Sequence, residues 1–210
     1  MIVLYRCRTP TNILCPCGAV ERRLRKLDLE HETKRVPYRR GGRPEIEELT
    51  RQNRVPVLVD GDEVIPDSVR ILRHLEERWP DPPLFPRDPA RRAELDVFLE
   101  WFNEVWKLPP NAIEAELERE RPDHDRVAAL SARMHGWLPV FEDLLDGRDH
   151  LFGDFSAADC AAFPFLKYAK VRDPADDELF HRVLEDNLQL GGGYPRLSAW
   201  IDRVNERPRA

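Results

Sequence analysis

The chain has 210 residues, 41% of them hydrophobic and 34% charged, and a formal net charge of −6 at pH 7. That length allows one domain or two small ones, and the apolar fraction supports a packed core, which excludes a disordered chain. The longest apolar runs fall far short of the roughly 18 residues of a membrane helix, and the acidic balance argues against nucleic acid as a partner, so neither membrane nor nucleic-acid binding is expected.

Residues 1–10, MIVLYRCRTP, carry neither a basic leader nor an h-region, and the expected compartment is the cytoplasm. Within them IVLY is a β-branched and aromatic run that reads as a buried strand. From about Ala19 to Asp28, Val20, Leu24 and Leu27 recur at helical spacing among Arg and Glu, giving an amphipathic helix. HETKRVPY reads as a second strand, the Arg-rich RRGGRP as a loop, and PEIEELTRQN as a short helix with Pro44 near its start. VPVLVDGDEVI makes two strands joined at Asp60-Gly61, a dipeptide suited to a tight hairpin. Asp67-Ser68 is an N-cap signal before a helix with Ile71, Leu72, Leu75 and Trp79 on one stripe. Residues 1–79 therefore read β-α-β-α-β-β-α.

The Pro-rich stretch 80–89, PDPPLFPRDP, reads as a stiff linker, and no strand alternation recurs in 90–210, which reads as an all-helical domain. One amphipathic helix is expected over 90–106, with Leu95, Phe98, Leu99, Phe102 and Trp106 on a stripe. Pro109-Pro110 should break it, with helix resuming over 111–121 and 124–146 and a disturbance near Pro139. Ser156 and Asp159 form a capping-box pattern, with Phe155 and Cys160 at the flanking staple positions. Gly191-Gly192-Gly193 is a loop before a last helix carrying Leu197, Trp200, Ile201 and Val204.

Four cysteines are too few and too uneven for a disulfide scaffold, yet Cys7, Cys15 and Cys17 crowd into the first seventeen residues. Cys15-Pro16-Cys17-Gly18 stands where a strand gives way to a helix. Free amides and the positive end of a helix stabilise negative sulfur, so this junction suits a reactive thiolate. The alternative is that both thiols are only small residues in a tight turn. Zinc or iron–sulfur ligation by Cys7, Cys15 and Cys17 lacks a fourth ligand at usable spacing, and the six His show no metal-ligand spacing, so no metal is expected. Cys160 reads as a small buried apolar residue, and Cys7 as inert.

Several segments together resemble the glutathione S-transferase superfamily, which implies a thioredoxin-like α/β N-terminal domain followed by an all-α C-terminal domain. Asn53-Arg54-Val55-Pro56-Val57-Leu58 is similar to the family's VPVL segment, in which the proline is cis and the preceding backbone pairs with the cysteinyl part of glutathione. Asp67-Ser68 resembles its acidic-Ser helix start, where the serine holds the γ-glutamyl carboxylate. Residues 155–164, FSAADCAAFP, and 194–200, YPRLSAW, are similar to its capping-box segment and final helix.

Extra residues within RTPTNIL separate Tyr5 from Cys15, so two alignments stay open. A glutaredoxin-like Cys-Pro start makes Cys15 the catalytic thiol; counting back from Leu24 favours Cys17. The resemblance implies glutathione, or a related low-molecular-weight thiol, held by Val55, Pro56, Asp67 and Ser68. Arg39 and Arg43 either meet its glycyl carboxylate or belong to a solvated loop. Trp101, Phe102, Val105 and Trp106 either line an apolar substrate pocket or form a core stripe. A Cys-based enzyme should transfer thiols or reduce glutathionyl adducts and mixed disulfides. Conjugation of glutathione to small electrophiles and a non-catalytic binding role are the alternatives, and a cytoplasmic homodimer is the expected assembly.

Overall fold

In the computed structural model, which describes residues 1–8, 15–37, 42–172, 176 and 178–207, the IVLYRC run forms strand β1 (Ile2–Cys7), buried at every position. A strand buried on both faces has to be the middle of a covered sheet, and that is its place. Helix α1 (Pro16–Lys26) leads to β2 (His31–Val36), parallel to β1. Helix α2 (Pro44–Thr50) follows, ended by Arg51 in the left-handed conformation. The Asp60-Gly61 turn joins β3 (Val57–Asp60) to β4 (Glu63–Pro66), and Gly61 takes φ of 63°. The sheet order is β2-β1-β3-β4, with β3 antiparallel to β1. Helix α3 (Ser68–Arg78) completes the thioredoxin-like unit.

Val3, Tyr5, Ile46 and Val57 pack on the α2 side of the sheet, while α1 and α3 pack against each other with Leu24, Ile71 and Leu75 fully buried. Two buried ion pairs lock α1. Arg6 of β1, wholly buried, pairs with Glu21, and Arg23 donates to Glu76 of α3 at 2.9 Å.

The chain divides into two compact units, Met1–Arg87 and Asp88–Arg207. Residues 80–87, expected as linker, belong with the first. Leu84 and Phe85 are buried and donate their amides to Glu76 at 3.0 and 3.3 Å, because a buried carboxylate with several acceptor sites draws in main-chain donors.

The second unit is helical. Helix α4 (Pro89–Trp101) passes into a π-helical turn over Phe102–Trp106, marked by Lys107 N–H donating to Phe102 O at 3.1 Å. The expected single helix over 90–106 is therefore wrong in its last turn: one wide turn closes there in place of an α turn. Helix α5 (Leu108–Leu117) then contains Pro109 and Pro110, which corrects the expected break. Both prolines sit in the first turn, where no amide is needed. Near Pro139 the long helix does divide, into α6 (His124–Gly136) and α7 (Leu138–Leu144). Helix α8 (Ala157–Leu166) carries the capping box, and α10 (Pro195–Asn205) is the last helix. Between them α9 (Leu179–Asn187), for which the sequence reading makes no assignment, buries Val183 and Leu184. Six of these helices, α1, α2, α4, α5, α7 and α10, begin with a proline in their first two positions.

Asp159 organises this unit. Wholly buried, it accepts Ser156 N–H at 2.9 Å, Leu151 N–H at 3.3 Å and Trp200 Nε1–H at 2.7 Å. Among the described residues no helix is long and apolar enough to cross a membrane.

Candidate active site

At the carboxyl end of β1 the sheet presents Cys7, and the start of α1, with Cys15 and Cys17, brings two more thiols beside it. All three are buried, and their sulfurs lie within 4.8 Å of one another. Cys15 is the N-cap of α1, in extended conformation, with Pro16 in the first turn and Gly18 N–H donating to its sulfur at 3.3 Å. Proline fits there because it pre-sets a helical φ and lacks a donor that the first turn cannot use. Cys7 Sγ lies 3.5 Å from Cys15 Sγ, and Cys7 N–H donates to Cys17 Sγ at 3.5 Å.

The electrostatics differ from the reactive thiolate expected at the Cys15-Pro16 junction. A hydrogen bond from Cys17 and one from Gly18 favour its thiolate, but the Cys7 contact and burial outweigh them and push the thiol above its usual range. Burial lifts Cys17 much further, well above that range. Only Cys15 has a donating helix amide on its sulfur, and this distinguishes the two thiols.

Val55 packs against the three thiols, and the Val55–Pro56 peptide bond is cis. Asp67 N–H donates to Pro56 O at 3.3 Å, which joins this loop to the start of α3. Asp67 is the N-cap, its carboxylate accepting Val69 N–H at 2.9 Å and Arg70 N–H at 3.3 Å, with φ of 75°. Ser68 is buried in the first turn, yet its hydroxyl takes no hydrogen bond from the described residues. Asn53 Oδ1, two residues before Val55, is likewise buried with no partner among them. Four expected ligand residues, Val55, Pro56, Asp67 and Ser68, thus form one connected edge beside Cys15.

Arg43 is turned inward, buried, donating to Pro37 O at 2.7 Å and Asn53 O at 3.2 Å. Arg39 lies outside the described residues. Tyr5, in the same strand as Cys7, donates to Glu45 at 2.7 Å; burial and that bond raise its pKa, so it is not an activated phenol. In the second unit Phe102 and Trp106 are fully buried, stacked with centroids 4.6 Å apart, within a cluster that includes Phe98, Phe141 and Phe165. Trp101 and Val105 are half-buried. Cys160 is partly exposed, not fully buried as expected, because it sits one turn into α8 beyond the capping box.

The sequence reading grouped Cys7 with the other two thiols but took it as inert, whereas its sulfur lies 3.5 Å from that of Cys15. The signal was present: sites in α/β sheets form at the carboxyl ends of strands, and Cys7 is the last residue of the central strand.

Family models described as "Glutathione S-transferase, N-terminal domain" and "Glutathione S-transferase, C-terminal domain" match residues 14–83 and 111–203. The chain is 25% identical over 182 residues to Glutathione S-transferase L3 of Arabidopsis thaliana, covering 85% of this chain and 68% of that protein. It is 36% identical over 137 residues to FtsZ-localized protein A of Caulobacter vibrioides, covering 59% of this chain and 59% of that protein, so the match leaves two fifths of each outside it. The crystal structure of a glutathione S-transferase from Rhodospirillum rubrum superposes with a TM-score of 0.69 at 25% identity, covering 100% of this chain and 90% of that one.

Proposed function

The chain belongs to the glutathione S-transferase superfamily, and from that premise we propose that it is a glutathione-dependent thiol transferase with Cys15 as the reacting thiol. The observation that supports this most is the continuity of one edge: Cys15 at the start of α1, Val55 packed on it, Pro56 joined to Asp67, and Ser68 opening α3.

The residues fit glutathione. Ser68 offers a hydroxyl without a partner among the described residues at a helix start, where a carboxylate is favoured by the first-turn amides. The Val55 main chain lies outside the strand ladder and so has its donor and acceptor to offer a peptide-like ligand. Arg43, through Pro37 and Asn53, positions the loop leading to Val55, and Arg39 is assigned to the glycyl carboxylate. Phe102 and Trp106 belong to the buried core of the second unit, and of the four residues expected to line an apolar pocket Trp101 and Val105 keep exposed surface. A homodimer is the proposed assembly, which light scattering would test.

In the proposed reaction the Cys15 sulfur, as thiolate, attacks the glutathionyl sulfur of a mixed disulfide. The Cys15–glutathione disulfide forms and the other thiol leaves with a proton. A second glutathione thiolate then attacks that disulfide, releasing glutathione disulfide and restoring Cys15. Gly18 N–H favours the sulfur anion at both steps. Conjugation to an electrophile would need a group that ionises the bound thiol. Tyr5 is engaged with Glu45 and is a poor candidate, which favours transfer over conjugation.

The test compares wild type with Cys15→Ser and Cys17→Ser on a glutathionyl mixed disulfide and on a chloronitrobenzene. The proposal expects turnover of the disulfide that Cys15→Ser abolishes and Cys17→Ser retains; loss only in Cys17→Ser would exchange the two roles. A second reading, a binding protein without turnover, is favoured by the burial of all three thiols and by the similarity to FtsZ-localized protein A. It predicts no turnover of either substrate by the wild type.

A further inference from the structure

Thiol transfer needs one cysteine, and the chain gathers three. We propose that Cys7, Cys15 and Cys17 form a three-thiolate site for a thiophilic ion that accepts three-coordination, of the class of As(III) and Cu(I).

The geometry carries the assignment. Metal–sulfur bonds of about 2.3 Å place the sulfurs of a site roughly 3.5–4.0 Å apart. Cys7 and Cys15 already stand at 3.5 Å, and no pair exceeds 4.8 Å, so a shift of less than about an ångström closes the set around one ion. The three ligands come from elements whose ends the fold holds: the last residue of β1, the N-cap of α1 and its second residue. Structural zinc and iron–sulfur sites call for a fourth protein ligand, and among the described residues no further His, Cys, Asp or Glu joins the group. Three-coordinate ions have no such requirement.

The surroundings suit bound thiolates. Gly18 N–H donates to Cys15 Sγ and Cys7 N–H to Cys17 Sγ, the kind of outer-sphere bond that steadies a ligand and its charge. The first turn of α1 holds no acidic residue, and Val55 covers the group with an apolar side chain that keeps water away. Arg6, next to Cys7, pairs with Glu21, and the bound ion itself offsets the charge of the three thiolates, As(III) more fully than Cu(I). Arsenic(III) does this completely. It enters as neutral As(OH)3; three As–O bonds break, three As–S bonds form, and the thiol protons leave with the hydroxides as three waters. No oxidation state changes. Cu(I) instead displaces thiol protons to the buffer.

The site shares Cys15 with the proposed reaction but does not rest on it, because ion binding is read without any substrate. Reduced protein would be titrated anaerobically with arsenite and, separately, with Cu(I), following sulfur-to-metal absorption in the near ultraviolet. One equivalent should bind. Cys7→Ser, Cys15→Ser and Cys17→Ser should each weaken binding by about tenfold or more, with Cys160→Ser unchanged. Proton release in weak buffer separates the two ions, since only Cu(I) acidifies the solution. Unchanged affinity in Cys7→Ser, or no stoichiometric binding of either ion, would overturn the proposal. Should Cys7→Ser fail to fold, X-ray absorption of the loaded wild type decides. Three sulfurs at about 2.2–2.3 Å support the site, and two or fewer refute it.

Discussion

Helices α8 and α3 begin with the same kind of signal, a short polar side chain before an apolar stripe, and use it in opposite ways. At α8 the pair Ser156 and Asp159 spends its acceptors on the protein: Asp159 takes the Ser156 and Leu151 amides and the Trp200 indole, and Ser156 Oγ accepts Ala158 N–H at 3.3 Å. At α3 the cap is Asp67 alone, and the neighbouring Ser68 hydroxyl is left without a partner among the described residues. A cap closed on itself stabilises a fold; a cap with a group left over can hold a ligand. The cap residue does not separate the two cases, and the accounting of donors and acceptors around it does.

The most direct way to break this contrast is at the closed end. Asp159→Ala strands several buried donors, and chemical denaturation should show a loss on the order of 3–5 kcal/mol, while any protein still folded keeps its affinity for glutathione. At the open end Ser68→Ala should do the reverse. Titration calorimetry should show glutathione binding weaker by roughly 1.5–3 kcal/mol, with the unfolding midpoint hardly moved. A stability loss in Ser68→Ala comparable to that of Asp159→Ala would mean that both ends are structural.

Asp67 allows a sharper division, since its φ of 75° taxes any residue with a Cβ while its carboxylate caps the helix. Asp67→Ala loses the cap and keeps the strain; Asp67→Gly loses the cap and relieves it. The glycine variant should therefore be the more stable of the two by about 1–2 kcal/mol in urea unfolding. Equal stabilities would show that the backbone conformation carries no cost. The smallest effect is expected for Ser156→Ala, about 1 kcal/mol, because Asp159 keeps its other donors.

Both helix starts were legible in the sequence, because capping depends on residues within one turn of each other. The same holds for the Asp60-Gly61 hairpin. The errors lie where neighbours in space decide. Pro109-Pro110 reads as a break or a start depending only on which turn it occupies, and Phe102–Trp106 takes a wide turn that no local propensity announces. In the candidate site, Cys15 at a helix start could be read directly from Cys-Pro. Its burial could not, because Cys7 and Val55 reach it through the sheet and not along the chain. Arg43 misled for a related reason: guanidinium suits carboxylates and main-chain carbonyls alike, and the fold supplies Pro37 and Asn53.

The prolines that open six helices have an effect invisible in any contact of the folded chain. Each ring removes conformations from the denatured ensemble at a position whose native φ it already matches, worth about 0.4–1 kcal/mol apiece. Part of what holds this protein together is thus a restriction on how widely it can wander when it is not folded.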